Sequence, residues 1–272
     1  MNTLYKYYIM NYFLLPQLYK ENCVENIDIN YNTKPTKINT SLNIYLNDIK
    51  ENIDKLDDIS EWDLYKKYTN PYEYIHTIIP SCKKTISNVK PISRSYFKLI
   101  EIIQSLNLND VTGHINTFHL AEGPGGFIEA ICNIRNNFKD KYYGITLIDN
   151  NPDIPDWKKI YNIFNSYPNI EIDNGIDNSG NILKKCNLKH FYTKYNNSMH
   201  IVTGDAGIDF SSDFNNQEEM GLNLIFAQIC YAIAMQKKNG HFVLKIFDCF
   251  SKPTIDLLYL LNTLYSKVYI IK

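Results

Sequence analysis

One turn limits what this chain can fold into more than any other segment. Residues 116 to 130 read Asn116-Thr117-Phe118-His119-Leu120-Ala121-Glu122-Gly123-Pro124-Gly125-Gly126-Phe127-Ile128-Glu129-Ala130. A short apolar run is followed by an acid, then by three glycines within four residues, then by a helix start. Glycine serves where backbone must adopt φ > 0 or approach a ligand with no side chain between. After the first strand of a parallel sheet, such a turn is the usual place for a nucleotide-like cofactor. The spacing departs from the dinucleotide Gly-x-Gly-x-x-Gly, and no Gly-Lys-Ser/Thr follows to form a phosphate loop. Pro124 adds a fixed φ.

The rest of the chain can support a folded domain around that turn. It has 272 residues, 44% of them hydrophobic and 14% aromatic, enough for a substantial core. The net charge of −1 gives no information about partners, so an RNA-binding surface has to come from local clusters of Lys and Arg. Cys23, Cys82, Cys132, Cys186, Cys230 and Cys249 form no Cys-x-x-Cys pair, which argues for reduced thiols and against zinc. Met1 to Leu15 is apolar but carries Lys6 and ends at Pro16. It lacks the length of a membrane span and the order of a signal peptide, and reads as an extension packed on the core. No membrane association or secretion is therefore expected.

The expected organisation is a mainly helical N-terminal extension over residues 1–90 and an α/β domain over 91–272. Residues 17 to 40 are polar and read as a surface connection. Leu42, Tyr45, Leu46, Ile49, Ile53 and Leu56 fall at helical spacing, with Asp48, Lys50, Glu51 and Lys55 on the outer face. Ser60 and Asp63 suggest a capping box, and Asn70-Pro71 a helix stop. From Pro91 onward the pattern alternates. A helix capped by Ser93 precedes the glycine turn, and another runs from Phe127 to Asn136. Strands are expected at Tyr142–Ile148, His200–Thr203, His241–Phe247 and Lys267–Ile271. Further helices are expected at Trp157–Phe164, at Gln217–Gln236 closed by Asn239-Gly240, and at Pro253–Leu264. This predicts an α/β sandwich around a mostly parallel sheet.

Four side chains break the apolar pattern. Lys245 lies within Phe242-Val243-Leu244-Lys245-Ile246-Phe247, where a buried ammonium needs a carboxylate or a task, unless it snorkels to solvent from the strand end. Asp205, in Gly204-Asp205-Ala206-Gly207, projects at the carboxyl edge of the sheet or else satisfies its own turn. Lys98 lies in an amphipathic helix, where a solvated lysine is the ordinary outcome. Glu122 can cap the following helix or bind the amino-acid end of a cofactor. No His-x-x-x-His pair suggests a metal, and no Gly-x-Ser-x-Gly elbow suggests a hydrolase. Lys184, Lys185, Lys189 and Lys194 lie in what reads as a loop-rich stretch that could hold RNA, although a solvated face explains them as well.

Taken together these blocks resemble the FtsJ-like S-adenosylmethionine-dependent RNA ribose 2′-O-methyltransferases, and most of all the branch acting on capped mRNA in eukaryotes and large DNA viruses. Ser93-Arg94-Ser95-Tyr96-Phe97-Lys98 matches the family's first lysine motif. Glu122-Gly123-Pro124-Gly125-Gly126-Phe127 matches its cofactor loop. Asp205-Ala206-Gly207 and Asn239-Gly240-His241-Phe242-Val243-Leu244-Lys245-Ile246-Phe247-Asp248 match its aspartate and second lysine. The resemblance covers about two thirds of the chain, from Pro91 to Lys272. It implies a Rossmann-like methyltransferase fold with Lys98, Asp205 and Lys245 catalytic. It also implies S-adenosyl-L-methionine held by Ser93, Glu122, Gly123, Pro124, Gly125, Gly126, Phe127, Ile128, Asn181 and Ile182, and no metal. RNA, as capped mRNA, is the implied substrate, with capping or transcription proteins as further partners. The family's fourth catalytic residue, a glutamate, lies beyond the last segment present here. That implies either a portion of a longer protein or an incomplete site. A non-catalytic cofactor- or RNA-binding subunit and a ribosomal- or transfer-RNA methyltransferase are the competing readings.

Overall fold

The computed structural model describes residues 12–17, 35–57, 65, 74–78, 82–108, 110–151, 154–207 and 214–272. The capping box at Ser60 and Asp63, the stop at Asn70-Pro71 and most of segments 1–15 and 17–40 lie outside the described residues.

A short strand β1 (Tyr12–Leu14) and helices α1 (Thr40–Lys50) and α2 (Asn52–Asp57) precede the alternating part of the chain. Then follow α3 (Ser95–Leu106), β2 (Asn116–Leu120), α4 (Gly126–Arg135), β3 (Lys141–Ile145), α5 (Tyr161–Phe164) and β4 (Ile170–Ile172). The remaining elements are α6 (Lys185–Tyr195), β5 (Met199–Gly204), α7 (Gln217–Met235), β6 (Gln236–Leu244), α8 (Lys252–Leu264) and β7 (Tyr269–Ile271). Five strands form one parallel sheet in the order β4-β3-β2-β5-β6, and β7 pairs antiparallel with β1. The chain builds outward from β2 through β3 and β4, then returns to the other side of β2 for β5 and β6. The glycine turn leaves β2 at this reversal, which is where open α/β sheets bind ligands.

Strand alternation divides the core between the two faces. Phe118, Leu120, Ile145, Met199 and Val202 join Phe191, Tyr195, Tyr231 and Met235 of α6 and α7 on one face. Leu99, Ile103, Ile128, Ile131 and Ile201 form the core on the other, under α3 and α4.

Several elements depart from the sequence expectation. Helix α7 runs straight into β6 and is not closed at Asn239-Gly240, because the ladder to β5 already begins at Met199↔Gln236. A register shift between Met199 and Ile201 then absorbs the extra residues. Residues 184–194, read as loop-rich, form α6 almost throughout. Ser93 does not cap α3: Arg94 occupies the cap position, and Ser93 Oγ pairs with Ser95 Oγ at 2.5 Å. Helix α1 docks by its polar face. Leu42, Tyr45 and Ile49 are exposed, while Asn43 is buried and accepts a hydrogen bond from Lys37 Nζ at 3.1 Å. Amphipathic spacing identified the helix correctly but not the face it buries, which here is chosen by polar partners.

His119, at the centre of β2, is fully buried, with its ring nitrogens 2.8 Å from the hydroxyls of Thr117 and Thr203. Burial lowers its pKa from 6.5 to about 3. A depressed histidine pKa means that the unfolded chain binds the proton more readily, so stability is full above pH 6.5 and falls as pH drops towards 3. Between pH 6.5 and 5 this one group should cost about 2 kcal/mol. In urea titrations over that range, His119→Gln should weaken the pH dependence of unfolding by about one proton. An unchanged slope would show that His119 is not held neutral.

Candidate active site

Strand register brings the site together. Leu120 pairs with Gly204, Gly204 with Leu244, and Leu120 with Ile145. The residues immediately following, Thr146, Ala121, Asp205 and Lys245, therefore leave the same edge of the sheet from strands about 4.8 Å apart. Lys245 is the first residue past β6 and does not lie in mid-strand as expected. Its amide still donates to Gly204 O at 2.8 Å, which fixes where its side chain starts.

Lys245 Nζ lies 2.8 Å from Asp205 Oδ1, an ionic contact without hydrogen-bond alignment to that oxygen, and donates to Asp205 O at 3.2 Å. The ammonium also sits 5.4 Å from the centre of the Phe247 ring. Both side chains are partly buried, so water screens the pair only in part.

The glycine turn packs closely on what surrounds it. Gly125 has φ of +110°, a conformation that disfavours other residues. A Cβ at Gly126 would lie 2.1 Å from Ser93 Oγ and 2.2 Å from Ser95 Oγ, so a bare backbone is required where α3 begins. Glu122 is buried, and its Oε1 accepts the Phe127 amide. Burial raises the Glu122 pKa well above the usual carboxylate range. The Phe127 amide and, more weakly, Lys245 oppose this shift, while Asp205 adds to it. Glu122 therefore senses the charges of both strand-end residues.

The expected site residues are not equally placed. Ser93 borders the glycine turn, its Oγ packed against Gly126. Lys98 lies in the first turn of α3 with its side chain exposed, and it makes no ion pair with Asp205. Phe127, Ile128 and Ile182 are core residues, 3%, 0% and 5% exposed, so only their backbones can face a ligand. Asn181 Oδ1 accepts the Leu183 amide at 2.9 Å, which leaves its Nδ2 as the group available for a ligand. Lys184 and Lys194 are neutralised by Asp177 and Asp173, at 2.7 and 2.6 Å. These two lysines do not support an RNA surface on α6.

Residues not singled out from sequence support the site from behind. Gln228 of α7 is fully buried. Its Oε1 accepts the Ala206 amide at 3.1 Å and its Nε2 donates to Leu224 O at 3.0 Å. A Cβ at Gly204 would come within 2.3 Å of Gln228 Oε1, so the glycine before Asp205 makes room for this contact. Buried Glu218 accepts the amides of Phe250 and Ser251 at 3.1 and 2.8 Å, and Lys50 of α1 lies 3.1 Å from Asp248. A polar residue in the apolar C-terminal half of α7 was the available signal for Gln228.

A cleft of about 360 Å³ opens past β3 and β4, lined by Ile148, Trp157, Tyr161, Phe164, Ile172 and Asn174 among others. Trp157 Nε1 and Asn174 Oδ1 are buried without hydrogen-bond partners, one donor and one acceptor. Aromatic walls beside an unsatisfied donor and acceptor suit a flat, hydrogen-bonding group such as a nucleobase. Among the described residues, no group of three or more His, Cys, Asp or Glu is placed to hold a metal ion. Nor is any described helix long and apolar enough to cross a membrane.

An open parallel sheet with a glycine turn at its point of reversal and a lysine–aspartate pair on the same rim places this chain among the α/β proteins that bind ligands at the carboxyl edge of the sheet. More particularly, this chain belongs to the FtsJ-like methyltransferases, whose family model matches residues 91–272. It is 24% identical over 264 residues to cap-specific mRNA (nucleoside-2′-O-)-methyltransferase 2 of Pongo abelii, covering 86% of this chain and 32% of that protein. The Drosophila melanogaster protein of the same name is 27% identical over 179 residues, covering 58% of this chain and 24% of its own length. The African swine fever virus protein EP424R, named a probable methyltransferase, is 23% identical over 261 residues, covering 84% and 56%. The chain thus spans a third or less of the length of the two cap-specific relatives. Coverage of 86% also extends the likeness ahead of Pro91, into a segment with no match expected from its sequence.

Gln228→Leu should cost about 1–3 kcal/mol of stability by leaving the Ala206 amide unpaired. Gln228→Glu keeps the acceptor but buries a charge and loses the donor to Leu224 O, so it should recover stability only in denaturant titrations at low pH, where the carboxyl is neutral. Equal losses from the two variants at low pH would rule out the hydrogen bond as the reason for Gln228.

Proposed function

We propose that this protein transfers a methyl group from S-adenosyl-L-methionine to a ribose 2′-hydroxyl of RNA, on the first transcribed nucleotides of capped mRNA. The observation that carries this reading is the Lys245–Asp205 pair, held at 2.8 Å on the same sheet edge as the glycine turn. Membership of the methyltransferase family and the names of the cap-specific relatives support it.

The cofactor supplies a methyl group already activated by a positive sulfur, so the protein has to orient and deprotonate the acceptor. Ser93, Gly123, Pro124, Gly125 and Gly126 would hold its methionine end with Glu122. The Trp157–Asn174 cleft and the Asn181 amide would hold its nucleoside. Lys245, as the free amine, would orient the 2′-hydroxyl and take its proton while the methyl carbon exchanges its bond to sulfur for one to oxygen, leaving a neutral thioether. Asp205 positions the amine by its carboxylate and its backbone carbonyl, and Gln228 positions Asp205. Lys98, exposed in the first turn of α3, supplies a second positive charge on the substrate side. A protein that binds cofactor or RNA without catalysis is the competing reading, and the Lys245–Asp205 pair on the sheet rim opposes it.

The test is transfer of labelled methyl to short capped and uncapped RNAs. Wild type should methylate capped RNA, and Lys245→Ala should lower kcat by a hundredfold or more with cofactor affinity unchanged. Transfer that survives Lys245→Ala would sink the mechanism. Cofactor binding without any transfer would favour the non-catalytic reading.

A further inference from the structure

The stretch from Tyr74 to Ile100 contains no Asp or Glu, in a chain with 29 acids among 272 residues, yet it carries Lys83, Lys84, Lys90, Arg94 and Lys98. All five side chains are exposed. Lys83, Lys84, Lys90 and Lys98 form no ion pair among the described residues, whereas Lys184 and Lys194 on α6 are each taken up by an aspartate.

This basic strap is folded on itself at one end and tied to the domain at the other. Ile86 and Ser87 donate their amides to Tyr74 O and Ile75 O at 3.1 and 3.0 Å, and Thr85 Oγ1 donates to Ser87 O at 2.6 Å. At the other end the Ile92 amide donates to Glu129 Oε2 of α4 at 2.7 Å, and Ser93 and Ser95 close on Gly126. The strap therefore leads directly into the glycine turn and the Lys98 helix. Ile86 and Val89, 65% and 49% exposed, lie between its cations as apolar contact points.

We propose that residues 82–94 form the path of the RNA phosphates outside the reaction centre, with Lys83, Lys84 and Lys90 as its phosphate contacts. An acid-free segment in which Lys83, Lys84 and Lys90 have no ion pair among the described residues attracts a polyanion, and each phosphate neutralised on a single strand releases counterions on binding. The inference rests on the RNA methyltransferase reading but addresses where RNA lies, not whether it is methylated.

Fluorescence anisotropy of a short capped RNA at several salt concentrations tests it. Wild type is compared with Lys83→Gln/Lys84→Gln/Lys90→Gln and with an α6 control, Lys185→Gln/Lys189→Gln. The strap variant should bind at least tenfold more weakly at low salt, and its log K against log salt slope should be shallower by about 2. The control should stay within twofold of wild type, and cofactor affinity should be the same in all three. A strap variant within twofold of wild type, a control that loses as much, or no RNA binding by wild type at low salt would each overturn the proposal. RNA bound through the strap with no methyl transferred would support the path while removing the reading on which it rests.

Discussion

Parallel register between β2, β5 and β6 is the constraint from which the site follows. With Leu120, Gly204 and Leu244 aligned in one row, the next residue of each strand must emerge on the same edge. The aspartate and the lysine are 40 residues apart in sequence but leave adjacent strands at equal height. A slip of one residue in β6 would turn Lys245 to the opposite face and separate the pair. The bulge at Met199 and Ile201 matters for this reason: it takes up the irregular start of β6 before the register reaches the rim.

Much of this was legible in the sequence, for physical reasons that can be named. The glycine turn has a steric signature, and the strand-end charges stand out because an ammonium or carboxylate in an apolar run needs an explanation. Strand and helix alternation predicted the layers. The ends of β6 were not legible. Its true start, Gln236-Lys237-Lys238-Asn239-Gly240, has turn-like composition, and its pairing is set by β5 and not by local propensity.

The supporting shell was hidden for another reason. Gln228 acquires its role only when the Asp205 turn comes against α7, and its polarity alone does not say which partner it will meet. The docking of α1 misled in the opposite sense. Its apolar spacing pointed to Leu42, Tyr45 and Ile49, yet Asn43 is the buried residue and Lys50 reaches Asp248. Long-range polar partners decide such faces, and periodicity carries no information about them.

The loop after Lys245 is fastened at three points. Asp205 secures its first residue, Lys50 its Asp248, and Glu218 the amides of Phe250 and Ser251 at its far end. A tether with both ends and its middle secured has few conformations left to lose. The entropy of placing the amine is thus surrendered when the chain folds, and a ligand arriving at the rim meets a lysine that does not have to be ordered again.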